Sequence, residues 1–139
     1  MQTVTISLSG YFIDGHPVMG PFGSYAQTYD LPAAQNLVIE SMSASAGVPK
    51  GQSANLWLDV TDQKKRDITV TYHIPLQYQA TYSSNPTNPS VPVSDWRSMN
   101  QALRAYIPAG SRLYFQGNRG LKINGNGGAG VVITGYLEP

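Results

Sequence analysis

Cysteine is absent from the 139 residues, which removes disulfides, iron–sulfur clusters and thiolate chemistry from consideration. Charge is scarce too: Asp, Glu, Lys and Arg make up 12% of the chain, where about a quarter is usual. The surface must then be covered by Ser, Thr, Asn, Gln and Tyr, a composition suited to close polar packing against a sugar or a neighbouring subunit. Only two histidines occur. His16 lies between a turn and Pro17, and His73 alternates with threonines; neither belongs to an HExxH-type pair or a close metal-ligand series. No apolar run approaches the roughly eighteen residues of a membrane span, and the opening MQTVTISLSG lacks the basic start and long apolar stretch of a secretory signal. The expectation is a soluble chain with no metal and no cofactor.

The formal charge of +1 conceals an asymmetry. Residues 1–96 carry four basic and seven acidic side chains, whereas 97–139 carry Arg97, Arg104, Arg112, Arg119 and Lys122 against Glu138 alone. Dispersed over loops and outer strand faces, these cations are solvated; gathered, they form a mildly basic patch for an acidic subunit or polyanionic glycan. The clustering needed for a nucleic-acid footprint is missing.

What the chain does have is period-two hydrophobicity between turn residues. Such alternation buries one face of a strand and wets the other. Val4, Ile6 and Leu8 predict a strand over Thr3–Leu8, broken at Ser9–Gly10 before a short run Tyr11–Ile13, and Asp14-Gly15 is a hairpin signal. Tyr25–Tyr29 reads as a short edge strand, Leu31–Asn36 as a single helical turn, and Leu37–Ser45 as a longer strand. Ala54–Thr61 and Asp67–Ile74 form the clearest antiparallel pair, with Ile68, Val70, Tyr72 and Ile74 on the face expected to be buried. In 107–137, three strand-like runs marked by Leu113, Phe115, Leu121, Ile123, Val131 and Ile133 are separated by Gly117, Gly120, Gly125 and Gly127.

Between about 78 and 94 the character changes. Pro86, Pro89 and Pro92 exclude a central strand, so this stretch is a long Pro/Asn-rich loop or arm, for ligand binding or a subunit boundary. Ser94–Leu103 is then the one credible helix: Ser94 and Asp95 suit its first turn, and Trp96, Met99 and Leu103 share a side. The chain is long enough for one core and too short for two, so residues 1–139 make a single domain. Seven to nine short strands between Gly/Pro turns point to an all-β antiparallel β-sandwich with jelly-roll or Greek-key connections and one short helix. An eight-stranded closed barrel is the rival.

No catalytic constellation emerges. Asp59, Asp62 and Asp67 flank one hairpin and supply oxygens for calcium, but Lys64, Lys65 and Arg66 oppose a cation there. No GxSxG elbow occurs, no carboxylates can be paired across a cleft, and GNRG and NGNGGAG lack both the phosphate-loop pattern and a following helix. The chain reads as a non-enzyme. Its nine tyrosines and two tryptophans supply rigid amphipathic contact area, with Tyr25, Tyr29, Tyr78, Tyr82 and Tyr106 near loops or short strands. Tyr78, Tyr82, Trp96, Tyr114, Asn118, Asn124 and Asn126 are the candidate ligand- or partner-binding residues, combining flat aromatic faces with amides.

The closing stretch IPAGSRLYFQGNRGLKINGNGGAGVVITGYLEP resembles the last strands of small β-sandwich proteins of bacteriophage and viral virions, including capsid decoration and attachment modules. The resemblance implies a non-enzymatic role in a symmetric assembly at a virion or extracellular surface, with copies of itself and a neighbouring capsid or virion protein as partners. The competing expectation is a lectin-like module that binds a glycan through its Tyr, Trp and Asn loops.

Overall fold

The computed structural model describes residues 1–21, 26–65, 67–83 and 85–139. Nine strands account for its regular structure: β1 (Gln2–Phe12), β2 (Thr28–Asp30), β3 (Asn36–Pro49), β4 (Ala54–Asp62), β5 (Ile68–Ile74), β6 (Gln77–Tyr82), β7 (Ser94–Ile107), β8 (Ser111–Arg119) and β9 (Gly127–Glu138). They form two antiparallel sheets, one ordered β1-β9-β3-β7-β6 and the other β2-β8-β4-β5. The chain crosses between the sheets at every connection except the hairpins β4–β5 and β6–β7. Both sheets have free edges, so this is a sandwich and not the closed barrel. No helix among the described residues is long and apolar enough to cross a membrane.

The core fills the space between the sheets. Ile6, Leu8 and Phe12 of β1, Leu56, Leu58 and Val60 of β4, Leu113 and Phe115 of β8, and Val131 and Ile133 of β9 are all buried. Burying a Leu, Ile or Phe side chain of this kind contributes about 1.5–3 kcal/mol. The alternation of β3 changes parity part-way. Leu37 and Ile39 point inward, yet beyond Glu40 it is Met42, Ala44, Ala46 and Val48 that are buried. The register with both neighbours shifts between Ile39 and Ser41. This irregularity turns Ser41, Ser43, Ser45 and Gly47 outward, where an unbroken strand would bury them.

Several expectations are corrected. The predicted helix over Ser94–Leu103 is instead the first part of β7, a 14-residue strand paired with β3 along one edge and β6 along the other. The spacing of Trp96, Met99 and Leu103 fits a helix, but a ladder to β3 along the strand and a second to β6 over Ser94–Ser98 outweigh that weak local preference. The Leu31–Asn36 helical turn is a plain turn closed from the Gln35 amide to the Pro32 carbonyl. β1 runs through Ser9–Gly10 without a break. The run around Leu121 and Ile123 lies in the loop joining β8 and β9, with Leu121 fully exposed. Tyr25, Gly23 and Arg66 lie outside the described residues.

The β4–β5 hairpin forms in antiparallel register as expected, but the expected burial of β5 does not follow. Val70 takes the inward parity opposite Val60 yet remains 39% exposed; beyond it the register shifts, so that Ile68, 61% exposed, lies opposite Thr61, while Tyr72 is partly buried and Ile74 buried. β5 is the edge of its sheet, and the end of its inward face at Val70 is left uncovered. Leu58→Ala is therefore expected to destabilise by about 2–5 kcal/mol and Val70→Ala by less than about 1 kcal/mol. Urea denaturation of both variants in dilute protein checks this; equal losses would mean that the β5 side of the sandwich is closed.

Candidate functional site

The parity switch in β3 gives the outer face of the five-stranded sheet its character. Four residues line up across four strands: Trp96 pairs with Gly47, Gly47 with Gly128, and Gly128 with Tyr11. The next row is Ser98, Ser45, Gly130 and Ser9, and the row after it is Asn100, Ser43, Val132 and Ser7. Successive rows lie about 7 Å apart along the strands. Small side chains thus floor a trough that runs parallel to β3 and β9, with aromatic rings at one end.

Two overlapping depressions mark it, of about 620 and 380 Å³, which share Ser9, Ser45 and Gly130. The larger one is walled by Tyr11, Trp96, Val91, Pro92 and Asn126. None of the residues lining either depression is charged.

The aromatic end is built by close approach. A methyl group on Gly47 would sit 2.6 Å from the Trp96 ring, and one on Gly128 would lie 3.7 Å from the Tyr11 ring. Hydrogen in place of a side chain lets the indole lie flat against the sheet. Trp96 also stacks with Tyr82, centroids 5.4 Å apart and planes 17° from parallel, and its Nε1 donates to the Tyr82 carbonyl at 3.3 Å. The Pro-rich arm turns back in short hydrogen-bonded steps, Asn88 to Asn85 and Val91 to Asn88, and the Lys50 amide donates to the Val93 carbonyl. Its end thereby forms one wall of the trough.

The other wall depends on Arg119. The sequence places this cation on a loop or outer strand face; the structure buries it, at 3% exposure. Its guanidinium donates to the carbonyls of His16, Gly125 and Ile13 and to Gln52 Oε1, with its Cζ 5.5 Å from the centre of the Phe12 ring. Desolvation lowers its pKa, opposed by the nearby charge of Asp14. Around it, the Gly125 amide donates to Asp14 Oδ1, the Asp14 amide donates to Asn126 Oδ1, and Gln52 Nε2 donates to the Asn124 carbonyl. This mesh fixes the 120–126 loop, and so fixes Asn126 at the mouth of the trough.

Of the residues singled out from sequence, Trp96, Tyr82 and Asn126 are brought together. Asn124 is engaged by Gln52. Tyr78 pairs with Arg97, and its hydroxyl meets Thr81 beside Asp95, away from the Trp96 face. Tyr114 and Asn118 lie in β8 of the opposite sheet, where Asn118 accepts from Asn55. Tyr11 and the Ser/Gly floor were missed, although Ser41, Ser43, Ser45 and Gly47 recur at intervals of two in the sequence and carry the signal.

The remaining chemistry is structural. Asp59 is buried on the outer side of β4 and accepts from Trp57, Thr71 and Gln116. Asp62 accepts from the amides of Lys64 and Lys65, which hold its carboxyl below the usual range. Among the described residues no group of three or more His, Asp or Glu converges to hold a metal. No family model, curated protein or solved structure matches the chain.

Gly47→Ala is expected to lift the indole and disrupt the Tyr82–Trp96 stack, at a cost of about 1–3 kcal/mol; a changed near-ultraviolet circular dichroism band with intact far-ultraviolet signal reads this out. The pH response follows from Asp95, next to Trp96. The Thr81 hydroxyl and then the Gly51 amide hold its carboxyl below the ordinary 3.8. A depressed carboxylate stabilises above its unfolded value, and that support is lost only as pH falls through the lower folded value. The near-ultraviolet band of the stack should therefore persist down to pH 3.8 and fade below it; a transition of that band at higher pH would contradict the assignment.

Proposed function

We propose that this chain is a non-enzymatic carbohydrate-binding module, and that its trough takes an extended, uncharged saccharide. The observation that carries this reading is the row Trp96–Gly47–Gly128–Tyr11, continued by a floor of serines. A sugar ring presents an apolar C–H face and a rim of hydroxyls. An aromatic ring laid flat against the sheet matches the first, and serine hydroxyls with the Asn126 amide match the second. The absence of charge along the trough favours a neutral glycan over an acidic one, since an acidic sugar buried there would lack a counter-charge.

A second reading is a structural or decoration subunit of a virion or similar symmetric assembly. It is favoured by connectivity: the sheet orders β1-β9-β3-β7 and β2-β8-β4-β5 are those of a jelly roll with β6 added at an edge. That architecture serves viral capsid proteins and lectins alike, so it supports both readings and decides between neither. The trough is what tips the balance toward the glycan.

The test is a glycan array followed by titration calorimetry with the neutral oligosaccharides that bind. Trp96→Ala should weaken binding at least about tenfold, or ~1.4 kcal/mol. Trp57→Phe, in the other sheet, should leave binding unchanged. An array with no saccharide bound, alongside a stable high-order assembly in solution, would favour the virion reading.

A further inference from the structure

The loop that leads into β9 holds two Asn-Gly pairs, Asn124-Gly125 and Asn126-Gly127. In such a pair the glycine amide nitrogen can attack the side-chain amide carbon of the asparagine, because no glycine side chain blocks the approach. Three things hold the attack back. The peptide N–H is a poor acid, the side-chain carbonyl is a weak electrophile, and an ordinary loop sets no base beside the proton that must leave.

At Asn124 the fold answers all three. Asp14 Oδ1 accepts the Gly125 N–H at 2.6 Å, so a carboxylate already holds that proton. Gln52 Nε2 donates to the Asn124 main-chain carbonyl at 2.6 Å, which draws electrons from the same peptide unit and makes its N–H more acidic. The same Nε2 donates at 3.2 Å to Asn124 Oδ1, the oxygen on which negative charge develops during attack. Arg119 orients the donor. A guanidinium has no acceptor, so the Gln52 oxygen must face Arg119 Nη1, at 3.3 Å, and its NH2 group must face Asn124. Gln52 is buried, whereas the Asn124 side chain is exposed to solvent.

Asn126 has only part of this set. The Asp14 amide donates to its Oδ1, but its nucleophile is built into the sheet. Gly127 is the first residue of β9, paired with Phe12, and packs so closely that a methyl group on it would lie 2.7 Å from the Gly47 carbonyl oxygen.

We infer that Asn124-Gly125 is a self-modifying site, at which Asp14 and Gln52 catalyse conversion of Asn124 to aspartate and isoaspartate. The Gly125 nitrogen bonds to Asn124 Cγ and gives its proton to Asp14. The Cγ–Nδ2 bond then breaks, and the nitrogen takes that proton and leaves as ammonia. Solvent water opens the resulting cyclic imide at either carbonyl, giving aspartate or its β-linked isomer, with no change of oxidation state. The isomer lengthens the loop backbone by a methylene and sets a new carboxylate near Asp14. Conversion therefore loosens the mesh that holds Asn126 at the mouth of the trough.

Timed incubation of the chain at neutral pH, with peptide mapping by mass spectrometry, counts aspartate and isoaspartate at 124 and 126. The folded chain should convert Asn124 at least about tenfold faster than the same chain unfolded in guanidinium, and faster than it converts Asn126. Asp14→Ser leaves an oxygen for the Gly125 amide but no base, and should slow conversion at 124 about a hundredfold. Gln52→Glu keeps an acceptor for Arg119 but removes both donated bonds, and should slow it too. Far-ultraviolet circular dichroism checks that each variant is folded; the folded-against-unfolded comparison needs no variant. Conversion at 124 no faster in the folded chain than in the unfolded one overturns the proposal. So does an unchanged rate in folded Asp14→Ser, an equal rate at 126, or aspartate formed without isoaspartate, the mark of direct hydrolysis.

Discussion

The Arg119 guanidinium, buried without a bonded carboxylate, is the interaction on which the end of the sandwich depends. A lone buried cation costs several kcal/mol unless its donors are met. Here it is surrounded by the His16, Ile13 and Gly125 carbonyls and by Gln52, and rests against Phe12. Those acceptors belong to three separate segments: Ile13 and His16 follow β1, Gln52 precedes β4 and Gly125 precedes β9. Arginine suits the task because its planar fork offers five donors and keeps its proton even when desolvated. The charge of Asp14 lowers the electrostatic cost, and its carboxylate also accepts the Gly125 amide. The single side chain therefore sets where β9 begins, and with it the register that places Gly128 beside Gly47.

That register then meets the parity switch in β3. Leu37 and Ile39 occupy odd positions, and Met42, Ala44, Ala46 and Val48 even ones, so an unbroken strand would bury serines in one half or expose core residues in the other. The irregularity at Glu40 resolves the conflict, and Gly135 of the neighbouring β9 leaves the room, since a methyl group there would collide with the Val38 carbonyl. The change of phase is legible in the string LVIESMSASAGV once both periods are sought. Most strands were legible from their alternation alone, because β1, β4, β8 and β9 bury one face and wet the other. β7 was not: its apolar residues fit two periods, and only pairing with β3 and β6, remote in sequence, chooses between them. The β5 error has the same origin, since alternation tells which way Val70 points and not whether another layer covers it.

The candidate site was partly legible for a related reason. Tyr82, Trp96 and Asn126 stood out as side chains able to contact a ligand, and they lie together. The rest of the trough is made by what its residues lack. Gly47, Gly128, Gly130 and the serines form a floor because nothing protrudes from them, and that meaning depends on which residues are neighbours across strands. Asn124 and Arg119 mislead in the opposite direction: polar groups in a loop read as solvent-facing, yet long-range hydrogen bonds turn them into fasteners. Tyr114 and Asn118 were grouped with Trp96 by chemistry alone, and the sandwich separates them onto opposite sheets.

The low charge content ties these surfaces together. A charge-poor chain has few charges with which to keep its strand edges apart, and β5, which has none, carries a bulged register instead. It also has few means of holding an ionic ligand, and the trough has none along its floor. What lines the trough instead is aromatic faces, hydroxyls and amides, groups that match an uncharged partner and leave an acidic one without a counter-charge.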